Sequence, residues 1–240
     1  MESKFFRQAY PFDMLSRMRA KKPAKATTIA EPDLPDEESL TIGPAHLSSS
    51  GMVYLEMLFE NRDWSEQPSS GLKFNTSILR NVHLTKTGWR SVQFRDALLA
   101  SCDLSLADWV GALFQRTVIT STRSTGLNTS EASYSDTVFR GCALSYATFQ
   151  EATFGRCLFE DCDLTDAAFH GSAFEHVIFR RCNLTNAQFA DCRIASADFR
   201  GSRLDNVQIP LSELRNVTID PSQLESIALL TQVKVLDLEE

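Results

Sequence analysis

The sequence predicts an all-β solenoid, in which short parallel strands stack coil upon coil around one apolar core. Two periodicities support this fold class. Large apolar residues recur at every fifth position from Phe74 to Ile219, interrupted only at Ser124 and Thr129, and the same columns recur at every twentieth position. A five-residue period differs from the period of about 3.6 in a helix and about 2.0 in a strand. We therefore interpret each five-residue unit as one side of a coil, and four units as one complete coil.

The positions within each unit have distinct roles. Two residues before each large apolar centre stands a small or β-branched residue, and Leu72 and Leu127 are the largest exceptions. We predict that both of these positions point inward while the other three face water. Stacking identical residues at the strand spacing of about 4.8 Å fills the core and pairs aromatic faces. The clearest such column reads Phe74, Phe94, Phe114, Tyr134, Phe154 and Phe174.

The units fit a known pattern. Residues 102–106, 162–166 and 182–186 read Cys-Asp-Leu-Ser-Leu, Cys-Asp-Leu-Thr-Asp and Cys-Asn-Leu-Thr-Asn. These units resemble the pentapeptide-repeat family, and the resemblance covers about three fifths of the chain. It implies a right-handed quadrilateral parallel β-helix. Function on such a scaffold resides on the outer surface, so the resemblance specifies the fold more closely than the activity.

Four segments are predicted along the chain. Residues 1–50 form a flexible charged tail and linker, because residues 1–25 carry a net charge of +5 and residues 26–70 a net charge of −8. Residues 51–71 form an N-terminal cap, since Met52, Met57 and Arg62 are too large for the small inward position. Residues 72–219 form the β-helix, and residues 220–240 form a C-terminal helix or strand segment with a short helix cap.

The C-terminal segment has a helix-start signature. Asp220 fits an N-cap, Pro221 the first helical position and Gln223 the third residue of a capping box. One interpretation is a cap on the last coil. The resemblance implies another, because gyrase-binding members of the family dimerise through this segment. The residues of that homodimer interface would be Leu224, Ile227, Leu230 and Val233.

Residues 120–130 interrupt the apolar columns, yet the register resumes intact after them. They are either two degraded units or a loop of about ten residues. Quinolone-resistance members of the family need a projecting loop for protection. The resemblance therefore marks Arg123 and Asn128 as candidate partner contacts.

No catalytic, metal or cofactor signature is present. All six cysteines occupy the small inward position, which predicts buried thiols, with a disulfide in the column of Cys142, Cys162 and Cys182 as the alternative. A phosphate-binding glycine loop, a Gly-x-Ser-x-Gly elbow, a His-Glu-x-x-His helix and a zinc spacing are all absent from the sequence. We therefore predict a protein that is not an enzyme and has no metal and no cofactor.

Outward charges fall into two groups. The column of Asp96, Arg116, Asp136 and Arg156 alternates in sign and predicts structural ion-pair ladders. A second column holds only acids and glycines. The candidate acidic partner-binding residues are Glu131, Glu151 and Asp191 in that column, with Asp108 and Asp166 elsewhere; ordinary solvated surface is the alternative.

These features predict a cytoplasmic binding protein with a protein partner, no direct contact to nucleic acid and no membrane span. The resemblance implies a type II topoisomerase, DNA gyrase or topoisomerase IV, as the partner. Because the acidic column is thin, we expect only partial mimicry of DNA. The alternative is a general interaction scaffold, or a secreted effector or adaptor addressed by the basic aromatic N-terminal segment.

Overall fold

The protein is a parallel β-helix of about nine turns with one short C-terminal helix. The computed structural model describes residues 28–47 and 50–230. Every pairing between its strands is parallel and joins residues twenty positions apart within the solenoid, as Phe154 with Phe174 and Phe159 with Phe179. The right-handed, four-sided fold predicted from the sequence is therefore confirmed.

The strands are short at both ends of the solenoid and eight residues long in its middle. Described in chain order, they are β1 Thr41–Ile42, β2 Val53–Leu55, β3 Met57–Glu60, β4 Pro68–Ser70, β5 Lys73–Asn75, β6 Ile78–Arg80, β7 Gly88–Arg90, β8 Gln93–Ala100, β9 Leu113–Thr120, β10 Ser133–Arg140, β11 Thr153–Glu160, β12 Ala173–Arg180, β13 Arg193–Ile194, β14 Ala197–Asp198 and β15 Val217–Thr218. The helix α1 spans Leu224–Leu230. Within the described residues, three 3₁₀ helices lie at Glu37–Ser39, Leu211–Asn216 and Pro221–Gln223.

We name the four faces by the inward centres that they carry. In one coil, face A carries Phe154, face B Phe159, face C Leu164 and face D Phe169, all buried. Successive faces meet at corners where the backbone takes the left-handed conformation, for example at Arg156 with φ 54° between faces A and B. Such corners favour Gly, Asn and Asp, which explains where the sequence places many of these residues.

Stacked rings fill the core along the solenoid axis. The rings of Phe139 and Phe159 lie 4.6 Å apart with an interplanar angle of 1°. The indoles of Trp89 and Trp109 lie 5.3 Å apart, also at 1°. Because each ring lies directly above its equivalent in the preceding coil, the coil register positions every outward residue as well.

The solenoid begins earlier than the sequence predicted. Residues 51–71 form a complete coil rather than a separate cap, because β2, β3 and β4 pair in register with β5, β6 and β7. The bulky residues fit because no full coil lies beneath them. Met52 is 41% exposed, and Arg62 donates from Nη2 to the carbonyl oxygen of Gly43 at 3.2 Å. The Trp64 indole similarly donates to the carbonyl of Ala45 at 2.9 Å.

Residues 28–47 lie on the solenoid and do not form a free linker. Strand β1 pairs with β3, and the preceding residues run along face B. There Leu34 and Leu40 pack on an outward apolar stripe whose members include Leu58, Ile78 and Leu98. We call residues 28–42 the strap. Residues 1–27, which include most of the basic aromatic segment, lie outside the described residues.

Residues 120–130 form two regular sides of a coil, which excludes the projecting loop. Arg123 pairs with residues 103 and 143, and Asn128 with residues 108 and 148, by the same bridges as neighbouring coils. The buried hydroxyls are satisfied within the core. Thr122 and Ser124 lie 3.1 Å apart through their oxygens, and the Tyr134 hydroxyl donates to Thr129 at 2.7 Å.

The C-terminal helix start has the predicted capping box. Asp220 accepts from the Ser222 amide at 3.0 Å, and Gln223 accepts from the Asp220 amide at 2.9 Å. Gln223 is 5% exposed, and its side-chain amide donates to the carbonyl oxygens of Phe199 at 2.7 Å and Ser202 at 2.6 Å. The segment therefore closes the last coil.

All six cysteines are buried free thiols. Burial raises the pKa values of Cys102, Cys157 and Cys192 to about 12 each. The predicted thiols are confirmed, and the alternative disulfide in the column of Cys142 is wrong.

Candidate interaction surface

The acids of the predicted column stand on the corner between faces D and A. Glu131, Glu151 and Asp191 all have left-handed backbones, with φ of 60°, 55° and 57°. Their column continues through Gly111 and Gly171, where φ is also positive. We call Glu131, Glu151 and Asp191 the acidic ridge.

The backbone holds the ridge rigidly. The amide of Glu131 donates to the carbonyl of Gln150 at 2.7 Å, and the amide of Glu151 donates to the carbonyl of His170 at 2.8 Å. Each ridge residue is exposed, and no ion pair joins its carboxylate to another residue within 28–47 or 50–230. The ridge thus presents uncompensated negative charge from a fixed backbone.

The opposite corner of face A, by contrast, is neutralised. The Arg116 guanidinium contacts Asp96 at 2.5 and 2.6 Å, and Arg156 contacts Asp136 at 2.5 and 2.7 Å. These bidentate contacts hold the pKa values of Asp96 and Asp136 below their ordinary range. The ion-pair ladders predicted from the sequence are present.

A second paired network lies along the far edge of face B. Glu160 accepts from Arg140 at 3.0 Å and from Arg181 at 2.9 Å. Arg181 also contacts Asp161 at 2.7 Å and thereby lowers the pKa of that carboxyl group. These acids therefore contribute little net field.

The other nominated residues are not part of the ridge. Asp108 and Asn128 lie on face D, joined by a 2.7 Å hydrogen bond. Asp166 lies on the corner between faces C and D and accepts from Asn186 at 3.0 Å. Arg123 lies on face C and pairs with Asp103 at 2.9 Å. The structure thus separates the sequence-predicted set into one column of three and four residues placed elsewhere.

Face A holds a shallow groove beside the ridge, which the sequence analysis missed. Its volume is about 590 Å³. The outward residues lining it are small on three successive coils: Ser133 and Ser135, Thr153 and Gly155, and Ala173. Glu175, Arg193 and Glu213 line the same groove. The signal was available at a twenty-residue spacing, since small outward residues recur there on one face.

The proposed dimerisation residues divide between surface and core. Leu224 is 60% exposed, whereas Ile227 and Leu230 pack against the last coil. Val233 lies outside the described residues. Among the nominated residues that are described, only Leu224 presents a mainly exposed apolar side chain.

Neither a metal cluster nor a membrane helix is found in the described part of the chain. No group of three or more His, Cys, Asp or Glu side chains is arranged to hold a metal ion there. No helix within the same residues has the length and apolar character needed to cross a membrane.

The coil register, the corner backbones and the filled interior define a class of protein, the four-sided parallel β-helix. The pentapeptide repeat region model matches residues 125–189 and, in an overlapping match, residues 152–229. Residues 125–229 therefore form a pentapeptide-repeat region.

Two solved structures of pentapeptide-repeat proteins are similar to this chain. QnrB1, a plasmid-mediated fluoroquinolone resistance protein, is 17% identical with a TM-score of 0.50, covering 77% of this chain and 90% of that chain. HetL, involved in heterocyst differentiation regulation in the cyanobacterium Nostoc sp. strain PCC 7120, is 15% identical with a TM-score of 0.40, covering 70% and 87%. At this identity, the likeness to QnrB1 indicates a shared fold alone. No curated protein sequence matches the chain.

Proposed function

We propose that this chain is a non-enzymatic binding protein that engages a type II topoisomerase, DNA gyrase or topoisomerase IV, through the acidic ridge. The observation that carries the proposal is the contrast between the two corners of face A. One corner is neutralised by Arg116 and Arg156, while the ridge keeps its charge. The likeness to QnrB1 adds support, because that protein is described as a fluoroquinolone resistance protein.

The spacing of the ridge carboxylates matches the spacing of DNA phosphates in part, as a DNA-binding surface of the partner would require. Coils are separated by about 4.8 Å, so Glu131 to Asp191 spans roughly 14 Å. One strand of duplex DNA places a phosphate about every 3.4 Å along the helix axis. A length of roughly 14 Å therefore holds about four phosphates. Three carboxylates with a gap at Gly171 give a lower charge density. The mimicry is therefore partial, and affinity has to come from shape and from neighbouring contacts as well.

The test is supercoiling by purified DNA gyrase across a titration of the protein, with and without a fluoroquinolone. We expect inhibition of supercoiling, or rescue from the drug, at micromolar or lower concentration. The charge-reversed variant E131K/E151K/D191K should lose the effect while it keeps its fold. Three exposed charge contacts of about 0.2–1 kcal/mol each correspond to a loss of roughly 3-fold to 150-fold in affinity.

A matched control separates the ridge from net charge. The variant E66K/D205K/E225K changes the net charge by the same amount. Glu66 lies on the corner between faces C and D, Asp205 on face C and Glu225 on helix α1, all away from face A. It should retain wild-type activity. Equal activity of the ridge variant and the wild type would remove the ridge from the mechanism. No effect of the wild type on gyrase or topoisomerase IV would favour the general interaction scaffold.

A further inference from the structure

The strap shows where the N-terminal segment meets the solenoid. Glu37 contacts Arg80 at 2.8 Å through both carboxylate oxygens. Further back along the chain, the amide of Asp33 donates to Asp96 at 3.1 Å, and the amide of Ala30 donates to Asp136 at 3.2 Å. The strap thus advances towards the C-terminal coils as residue numbers fall.

The strap's position at Ala30 is next to the groove of face A. Asp136 occupies the corner directly after Ser135, and Ser135 lines the groove. From Asp33 to Ala30 the strap moves by two coils, about 10 Å, in three residues, which matches the rise of an extended chain. The segment of residues 1–27 therefore joins the strap within a few residues of the groove.

The charges of the groove and of the N-terminal segment are complementary. Five carboxylates surround or line the groove, against the single guanidinium of Arg193: Glu131, Glu151, Glu175, Asp191 and Glu213. Residues 1–25 contain seven Lys and Arg against two acids. They also contain large apolar side chains, among them those at positions 5, 6, 10, 12, 15 and 18. Such side chains can pack on the small residues of the groove floor.

From these observations we infer that the groove of face A is the docking site of this chain's own N-terminal segment, within residues 1–27. The segment binds with its Lys and Arg side chains along the acidic ridge. This inference goes beyond the proposed function and does not depend on the identity of any partner.

The tether makes this intramolecular binding efficient. The groove extends across three coil steps, about 14 Å, whereas 27 extended residues reach about 90 Å. A short flexible connection gives an effective concentration in the millimolar range. Weak exposed contacts are therefore sufficient to keep the groove occupied. An occupied groove also covers the acids that a basic partner surface would contact, so the segment acts as a competitor for that surface.

Limited trypsin cleavage of the full chain tests the inference. Lys21 and Lys25 are the basic residues nearest to the strap that trypsin can cleave, because Pro23 blocks cleavage after Lys22. Their cleavage rates report how often the segment is released. A synthetic peptide of residues 1–30 supplies the intrinsic cleavage rate under each condition. We expect slower cleavage of these bonds in the full chain than in the peptide at low salt. At about 1 M salt, where the screening length is about 3 Å, the difference should disappear.

The matched variants are E131Q/E151Q/D191N and E66Q/D205N/E225Q, which add no new trypsin site. Neutralising the ridge should accelerate cleavage at these lysines by about 3-fold to 150-fold, as expected for the loss of three exposed ion pairs. The control variant should behave as the wild type does. Equal rates in the full chain and the peptide at low salt would overturn the inference, as would equal acceleration by both variants. The assay contains no topoisomerase, so its outcome is separable from that of the supercoiling test.

Discussion

Closure of the last coil depends on one amide side chain, and replacing Gln223 with Ala gives a quantitative test. The Gln223 side chain makes three hydrogen bonds: two to the carbonyls of Phe199 and Ser202, and one from the Asp220 amide. Each is buried or partly buried, and a hydrogen bond of this kind contributes about 0.5–1.5 kcal/mol. We therefore expect Q223A to destabilise the terminal coil by about 2–4 kcal/mol.

Hydrogen exchange followed by mass spectrometry locates this loss. In a solenoid each coil contacts mainly its neighbours, so the effect should remain near the C-terminal end. Amides of residues 191–209 should exchange roughly 30-fold to 1000-fold faster, at about 1.4 kcal/mol per factor of ten. Amides of residues 133–160 should change little. L229A is the control, because that side chain is 64% exposed. A comparable effect in L229A, or a uniform effect along the solenoid, would refute the reasoning.

Three further predictions follow from the core, the strap and the thiols. Phe159 is fully buried and stacks on Phe139 and Phe179, so F159A should lower the free energy of unfolding by about 3–5 kcal/mol, measured by denaturant titration with F159L as the milder comparison. The depressed pKa values of Asp96 and Asp136 mean that their contribution is complete above the unfolded value of about 3.9 and is lost as pH falls through the lower folded values. The strap should therefore lose hydrogen-exchange protection in acid, and protection that persists well below pH 3 would contradict this. The six buried thiols should resist a thiol reagent in the folded protein and all react in denaturant; fast reaction of any one without unfolding would show local opening.

Much of the fold follows from the sequence because a solenoid coil is a local structure. Each five-residue unit carries its own inward pair and corner residue, and the twenty-residue register places Phe159 above Phe139 without further information. The capping box at Asp220 and Gln223 is equally local, since its bonds join residues within one turn. The ion pair of Arg116 with Asp96 required only the register as additional information.

The sequence-based predictions were wrong where neighbouring residues change the size or polarity that an inward position accepts. Met57 is too large for an interior coil, but the first coil has only β1 beneath it and tolerates this side chain. Residues 120–130 lack large apolar centres at Ser124 and Thr129. The coil still forms, because buried hydroxyls there have hydrogen-bond partners, as Thr129 has in Tyr134. The projecting loop that suggested Arg123 and Asn128 is therefore not present.

The sequence by itself determined the fold class, the stacked core, the inward thiols and the column that contains Glu131, Glu151 and Asp191. Only the tertiary structure decided that these acids flank a groove and that the strap leads the N-terminal segment to its rim. The reason is the range of the contacts. The bond from Ala30 to Asp136 joins residues 106 positions apart, and no periodicity in the chain encodes a contact of that separation.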